Sequence, residues 1–189
     1  MKRIVIFASG SGTNAENLIT YFKNRTHASV IQVLTNNSHA KVLDRAKNLQ
    51  VSALSFNRIA FSQTDDVLNI LKASNPDLIV LAGFLWKFPE FILNSFPNKV
   101  INIHPALLPK YGGKGMYGML VHQAVVDNKE TETGITIHYV NENYDEGAII
   151  FQAKCHVLPT DTPQDVAAKI HELEMEHFPK VVDQLLNDK

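Results

Sequence analysis

The sequence has one cysteine, Cys155, in 189 residues. A single thiol excludes an internal disulfide and any zinc site built on cysteine pairs. Long apolar runs are missing too. The longest, Leu78 to Trp86, is nine residues and includes Gly83, against about 20 needed to span a bilayer. The N-terminal apolar stretch, Ile4–Ala8, is shorter than the core of about 7–15 residues that an export signal needs. Neither charge dominates: 18 Lys+Arg face 19 Asp+Glu, a net charge of −1. That argues against a strongly basic nucleic-acid binder. No repeat, low-complexity segment or Gly/Ser linker divides the chain. What is present, 45% hydrophobic and 20% charged residues, can build a packed core and excludes global disorder. These features predict one domain over residues 1–189 in a reducing, cytoplasmic compartment, with no membrane or nucleic-acid partner.

Short β-branched runs alternate with longer amphipathic stretches. Strands are predicted over Ile4–Ala8, Val30–Thr35, Val51–Leu54, Leu78–Leu81 and Val100–Ile103. Helices are predicted over Ala15–Phe22, Ala40–Asn48 and Gln63–Ala73. Strands that are apolar at every residue are buried on both faces, as in a parallel sheet. The alternating order predicts a doubly wound α/β fold, a mostly parallel sheet with helices on both faces. After residue 104 the rhythm changes. Residues 105–118 carry two prolines and four glycines and read as a long loop. A short helix, Met119–Val126, follows. Strands Gly134–Val140 and Ala148–Val157 then predict an antiparallel hairpin that extends the sheet. A terminal helix is expected with Thr162 as N-cap and Pro163 at its first position. It runs to Phe178, where Pro179 breaks or kinks it.

Ser9-Gly10-Ser11-Gly12-Thr13-Asn14 joins the first strand to the first helix. In a parallel sheet that turn lies at the carboxyl edge, where ligands bind. Glycines let backbone N–H groups approach an anion, and the helix N-terminus favours negative charge. The dinucleotide fingerprint lacks its third glycine, and no Gly-Lys-Ser/Thr follows. The loop therefore reads as a site for one phosphate monoester. The plainer reading is a tight turn with Thr13 as a helix cap.

Asn102 and His104 stand two apart at the end of a buried strand, so they share a face. Unpaired polar groups there are costly, and this edge is where active sites of open α/β sheets lie. An amide donor beside an imidazole can hold a developing oxyanion, and the imidazole can move a proton. A cationic histidine needs a carboxylate nearby. Glu142, Asp145 and Glu146, in the turn after a later strand, are the candidates, and the pattern does not choose among them. In the last helix Glu174 falls inside the apolar stripe of Val166, Ile170, Leu173 and Phe178. It either binds a substrate hydroxyl or amine, or snorkels to water. His171 and His177 are six apart and do not share a face, so no metal site is expected.

Four segments stand out in the chain: Gly10-Ser11-Gly12-Thr13-Asn14, Leu81-Ala82-Gly83-Phe84, Asn102-Ile103-His104-Pro105-Ala106-Leu107-Leu108-Pro109-Lys110-Tyr111, and Tyr144-Asp145-Glu146-Gly147. Together they resemble the phosphoribosylglycinamide formyltransferases, within the folate-dependent formyltransferases. The resemblance covers the whole chain. It implies transfer of a formyl group from 10-formyltetrahydrofolate, as co-substrate, to the amine of glycinamide ribonucleotide in purine synthesis. It implies no metal and no oligomeric state. The family's catalytic trio falls on Asn102, His104 and Asp145. Ribonucleotide contacts fall on Ser11, Gly12, Thr13, Asn14 and Glu174. The folate pocket falls on Leu85, Trp86, Lys87, Phe88 and Asn102, and on Val140, Asn141, Glu142, Asn143 and Tyr144. A cis peptide at Leu108-Pro109 is expected on the same ground.

The implied chemistry is attack of the ribonucleotide amine on the formyl carbon. Asn102 and a protonated His104 stabilise the oxyanion, and Asp145 keeps His104 charged. Relatives often carry an arginine where this sequence has Trp86-Lys87, and another near position 63, where it has Gln63. The loop from Gly112 to Gly118 is also longer than in many of them. A methionyl-tRNA or sugar-nucleotide formyltransferase would share the Asn-x-His-Pro segment, but the former usually needs a further RNA-binding domain. A formyltetrahydrofolate hydrolase would not need the phosphate loop. A non-catalytic phosphoribosyl sensor would leave Asn102 and His104 unexplained.

Overall fold

The computed structural model describes residues 1–187. The elements run β1 (Lys2–Phe7), α1 (Thr13–Phe22), β2 (Ala28–Thr35), α2 (Val42–Asn48), β3 (Ser52–Ser55), α3 (Arg58–Ser62), α4 (Asp66–Ser74), β4 (Leu78–Leu81), α5 (Glu90–Ser95) and β5 (Val100–His104). They continue with α6 (Met119–Asp127), β6 (Glu132–Tyr139), β7 (Ile149–His156) and α7 (Pro163–Asn187). One sheet holds all seven strands in the order β3-β2-β1-β4-β5-β6-β7. The first five are parallel and the last two antiparallel. Strand order reverses between β1 and β4, which makes their carboxyl ends the switch point of the sheet.

Continuous apolar strands give the sheet two cores. Alternate residues point to opposite faces. Ile4, Ile6, Leu78 and Val80 pack on one side with Leu18, Phe22 and Phe178. Val5, Phe7, Ile79 and Leu81 pack on the other with Phe61, Leu71 and Ile92. Helices therefore cover both faces. No helix among the described residues is long and apolar enough to cross a membrane.

The predicted helix over Gln63–Ala73 is α4, which runs from Asp66 to Ser74, and a separate short helix, α3, precedes it over Arg58–Ser62. Asn57 caps α3 by accepting from the Ala60 N–H at 2.9 Å, and Thr64 donates to Asp66 at 2.6 Å where α4 begins. Local side-chain hydrogen bonds at each start compete with one continuous helix. Thr162 caps α7 as expected, accepting from the Asp165 N–H while Asp165 accepts from the Thr162 N–H, a reciprocal cap. The Leu108–Pro109 peptide is cis, also as expected.

Pro179 does not end the last helix. It lies inside α7, which continues to Asn187. A proline in a helix interior leaves the carbonyl four residues earlier without its donor. That carbonyl belongs to Met175, and the Asn17 side chain on α1 donates to it at 2.9 Å. A neighbouring helix thus supplies the missing bond. Asn17→Ala should lower stability by about 1 kcal/mol, the net worth of such a bond, in urea unfolding. The loss should shrink in a Pro179→Ala background, where the helix restores its own donor. Equal losses in both backgrounds would contradict this account.

Candidate active site

The carboxyl ends of β1, β4 and β5 open into a cavity of about 770 Å³. That volume is of the size that holds a small-molecule ligand. Its walls include Ser9–Asn14 after β1, Ala82–Leu85 after β4, and Asn102–Pro105 at the end of β5. Ala167, Ile170, His171 and Glu174 of α7 and residues 113–118 close the sides. Among the described residues, Lys114 is the one lysine or arginine in this lining.

The turn after β1 is fixed by Gly12. Its φ is +75°, in the left-handed region, and a Cβ there would sit 2.3 Å from Val42 Cγ2. Both backbone and packing therefore demand glycine. Gly12 is also the N-cap of α1, with no side-chain cap. Thr13 is the first helical residue and not a cap. Gly12, Thr13 and Asn14 line the cavity at the start of α1, where no side chain caps the helix, and an uncapped helix N-terminus favours anions. Arg45 braces the turn from behind, donating to the Ser11 carbonyl at 2.8 Å and pairing with Glu16.

Asn14 and Glu174 meet across the cavity. Asn14 Nδ2 donates to Glu174 Oε2 at 2.9 Å, and His171 Nδ1 stands 3.8 Å from the same oxygen. Burial pushes the Glu174 carboxyl above its ordinary value, opposed by Asn14 and His171. Glu174 neither snorkels free nor stands unpaired. Asn14 Oδ1 is left without a hydrogen-bond partner.

Asn102 and His104 share one face at the end of β5, as their spacing predicts. The next strand, β6, is antiparallel, so its exit turn returns to the same edge. That turn delivers Asp145 with φ +56°, while Glu142 and Glu146 remain exposed. Asp145 Oδ2 accepts from the Gly113 N–H at 2.9 Å and lies 3.5 Å from His104 Nδ1. Asp145 Oδ1 lies 3.4 Å from Asn102 Nδ2 and 3.6 Å from His138 Nε2. Burial would raise its carboxyl, but the donors around it win and hold it below the usual carboxylate range.

His104 is 3% exposed. Its Nε2 lies 2.7 Å from the Tyr111 carbonyl, so Nε2 carries a proton and donates. Its Nδ1 then faces Asp145. The expectation that this carboxylate holds the imidazole charged is not met. Asp145 and the Tyr111 carbonyl raise the pKa, but burial lowers it more, and the net shift is downward from 6.5. Desolvation outweighs one carboxylate at 3.5 Å.

Two histidines here were not singled out by the sequence. His138 on β6 pairs across from Asn102. Its Nδ1 donates to the Tyr139 carbonyl at 2.8 Å, which leaves Nε2 to accept from Asn102 Nδ2 at 3.1 Å. His138 thereby fixes the orientation of the Asn102 amide. Its place in an alternating strand was visible, but not the antiparallel register that puts it opposite Asn102. His122, on α6, lines the large cavity.

The expected folate segments divide. Trp86, Lys87, Phe88, Val140, Asn141, Asn143 and Tyr144 surround a second cavity with Asn102 and Asp145. Its volume is about 60 Å³, far below the 300–1,000 Å³ or so of ligand pockets. Leu85 instead lines the large cavity, and Glu142 lines neither. Phe88 is a core residue, packed edge-on against Phe7 and Phe61. No group of three His, Cys, Asp or Glu that could hold a metal ion occurs among the described residues.

The sequence matches the formyl transferase family over residues 2–182. The chain belongs to that family. A phosphoribosylglycinamide formyltransferase of Haemophilus influenzae is 36% identical over 96% of this chain and 86% of its own. A chloroplastic phosphoribosylglycinamide formyltransferase of Arabidopsis thaliana is 31% identical over the whole chain, which spans 66% of that relative's length. Glycinamide ribonucleotide transformylase 1 of Symbiobacterium toebii has a similar structure, with TM-score 0.90 and 30% identity over 100% of this chain and 89% of that one.

Two buried histidines, His104 and His122, have pKa values pushed below the ordinary 6.5 by burial. The unfolded chain therefore binds protons before the native one does. The associated stability is complete above pH 6.5 or so and is lost as pH falls through the depressed native values. The urea midpoint should drop between about pH 7.5 and 5.5, and a flat profile there would contradict the burial of neutral imidazoles.

Proposed function

We propose that this protein transfers the formyl group of 10-formyltetrahydrofolate to the amine of glycinamide ribonucleotide, as a single formyltransferase domain over residues 1–189. The products are formylglycinamide ribonucleotide and tetrahydrofolate, formed in de novo purine synthesis. The cytoplasm is the proposed location, a reducing compartment that suits a lone Cys155. One observation carries the reading. A backbone anion cradle at Ser11–Asn14 and the Asn102–His104–Asp145 cluster line the same 770 Å³ cavity. A phosphate anchored at one end would present an amine to a formyl carbon at the other.

Ser11, Gly12, Thr13 and Asn14 bind the phosphate through backbone N–H groups and hydroxyls. Glu174 accepts from a substrate hydroxyl in addition to Asn14. The amine attacks the formyl carbon, and the carbonyl oxygen takes up negative charge. Asn102 Nδ2 donates to that oxygen, giving up its long 3.4 Å contact with Asp145 while His138 holds the amide in place. His104, neutral at pH 7 because burial lowers its pKa, accepts the proton released by the amine at Nδ1. The Asp145 carboxylate stabilises the imidazolium while it exists. The proton then passes to the folate nitrogen as the bond from that nitrogen to the formyl carbon breaks. The folate ring lies along Leu85, Trp86, Lys87, Phe88 and the 140–145 turn. Since that cleft holds only about 60 Å³, the turn carrying Asn141, Glu142, Asn143 and Tyr144 opens to admit it.

The test is to mix the purified protein with 10-formyltetrahydrofolate, with and without glycinamide ribonucleotide, and follow folate absorbance. Turnover is expected only with both substrates. Turnover in water alone would mark a hydrolase, and none at all would refute the reading. Asp145→Asn should lower kcat by about 10²–10³, the usual worth of one transition-state contact. Without the carboxylate the His104 pKa falls further. The acid limb of the rate profile, where His104 becomes protonated, should therefore move to lower pH. An unmoved limb would take His104 out of the proton transfer.

A further inference from the structure

Burial lowers the pKa of His104, so at neutral pH its ring carries one proton, on one of two nitrogens. Its two partners pull that proton in opposite directions. Asp145 Oδ2 stands 3.5 Å from Nδ1, and the Tyr111 carbonyl stands 2.7 Å from Nε2. Each acceptor favours an N–H on the nitrogen that it faces, and the shorter contact holds the proton on Nε2. Nδ1 then keeps a lone pair and can take a proton from the amine. With the proton on Nδ1 instead, the ring would have no base on the side of Asp145. The Tyr111 carbonyl therefore decides whether His104 is in its reactive form.

That carbonyl is held by a backbone conformation that a tyrosine disfavours. Tyr111 has φ +57°, in the left-handed region, where a Cβ crowds the backbone. Relaxation to a negative φ would swing the carbonyl away from His104. Such a conformation persists only where its surroundings over-determine it. The Tyr111 ring packs against the sheet core, and its hydroxyl donates to Glu130 Oε1 at 2.8 Å. Lys110 Nζ donates to the same oxygen at 2.9 Å.

Glu130 is itself fixed by the end of α6. Lys129 is left-handed at φ +53°. Its N–H donates to the Val126 carbonyl at 2.9 Å, and the Glu130 N–H donates to the Val125 carbonyl at 3.1 Å. Paired bonds of this kind terminate a helix and give the residues after it a set position. The link from Glu130 to Tyr111 does not titrate near neutrality. Its two donors hold the Glu130 carboxyl below its ordinary value. Burial, with the bond to Glu130, pushes the Tyr111 hydroxyl up to about 12.

We propose that Glu130 is a positioning residue for catalysis: by anchoring the Tyr111 hydroxyl it holds the Tyr111 carbonyl on His104 Nε2 and keeps Nδ1 unprotonated. Glu130 lies outside the cavity lining and acts only through Tyr111. The use of Nδ1 as the base rests on the formyl-transfer reading above. The link from Glu130 to the ring tautomer does not.

Two measurements decide it. The ring nitrogens of ¹⁵N-labelled histidine report the tautomer directly, at a pH where His104 is neutral. In the wild type Nε2 should give the protonated signal and Nδ1 the lone-pair signal. Tyr111→Phe keeps the ring and removes the hydroxyl, and Glu130→Ala removes the acceptor. In both, the His104 signals should move toward the tautomer with the proton on Nδ1. A ring spectrum unchanged in either variant overturns the proposal, as does a wild-type proton on Nδ1. In steady-state kinetics, each variant should lower kcat about five- to tenfold, the worth of roughly one hydrogen bond. The KM values of both substrates should stay unchanged. The double variant should be no slower than the single ones, because both break the same link. Glu130→Gln, whose side-chain carbonyl still accepts, should restore most of the kcat lost in Glu130→Ala. Multiplied losses in the double variant, no rescue by Glu130→Gln, or a loss carried by KM refutes the assignment. If the wild type fails to turn over glycinamide ribonucleotide, the formyl-transfer reading fails, and the ring spectra still decide whether Glu130 sets the tautomer.

Discussion

A carboxylate removed from water has to be surrounded by polar partners, and Asp145 draws its partners from three separate parts of the chain. Gly113, from the loop after β5, and Asn102, on β5, donate to it, while His104 on β5 and His138 on β6 stand 3.5 and 3.6 Å away. Meeting that one demand fixes the whole chemical end of the cavity. The β6 strand must run antiparallel to β5, so that its exit turn returns to the sheet's carboxyl edge. The turn must carry Asp145 in a left-handed conformation. The glycine-rich loop must fold back far enough to present the Gly113 N–H. Tyr111, on the same loop, then offers its carbonyl to His104. The loop, the hairpin turn and the strand end are three faces of one hydrogen-bonded cluster.

The same cluster explains why His104 is neutral. Its two ring nitrogens have fixed partners, a carbonyl at 2.7 Å and a carboxylate at 3.5 Å. Both would favour the cation, yet the imidazole is nearly inaccessible, and desolvation is the largest influence on its pKa. A charge that appears during reaction and is neutralised by a carboxylate already in place needs little reorganisation. A permanently protonated imidazole would repel an incoming proton.

Much of the fold was legible because β4 and most of β1 are apolar on both faces. Leu78–Leu81 has the same bounds in sequence and structure, since Asp77 precedes the four buried aliphatics and Ala82-Gly83 follows them. The hairpin was legible from its short turn. The short helix α3 was not, because its five residues, Arg58–Ser62, are too few to show a helical repeat. That α7 continues past Pro179 was hidden for a different reason. The proline's cost falls on the Met175 carbonyl, and the remedy sits on Asn17, far away in sequence. Asn102, His104 and the phosphate turn were legible from position at strand ends. The choice of Asp145 came from family likeness, and its geometry depends on the β5–β6 register. His138 and His122 stayed hidden because an inward histidine in a strand or helix looks like a core residue until its neighbours are known.

The two ends of the cavity differ in what they ask of the sequence. At the phosphate end the binding groups are backbone N–H groups, and the essential constraint is steric. Gly12 has no alternative, since both its φ and the 2.3 Å approach to Val42 exclude a Cβ. At the chemical end the constraint is functional-group identity, because Asn102, His104 and Asp145 act through specific atoms at 3.4 and 3.5 Å. Changes at Gly12 therefore act first on folding, through Val42 and the α1–α2 packing. Changes at Asp145 act first on charge, leaving the sheet intact. The glycine-rich loop belongs to both regimes. A Cβ at Gly112 would lie 2.5 Å from Leu108 Cδ2 and displace that side chain, while the N–H of Gly113 is itself one of the donors on Asp145. A loop that packs at one residue and donates at the next is fixed where it meets the carboxylate. Its exposed stretch from Lys114 to Gly118 is free of that restraint, and it is the part of the wall that can adapt to whatever the cavity holds.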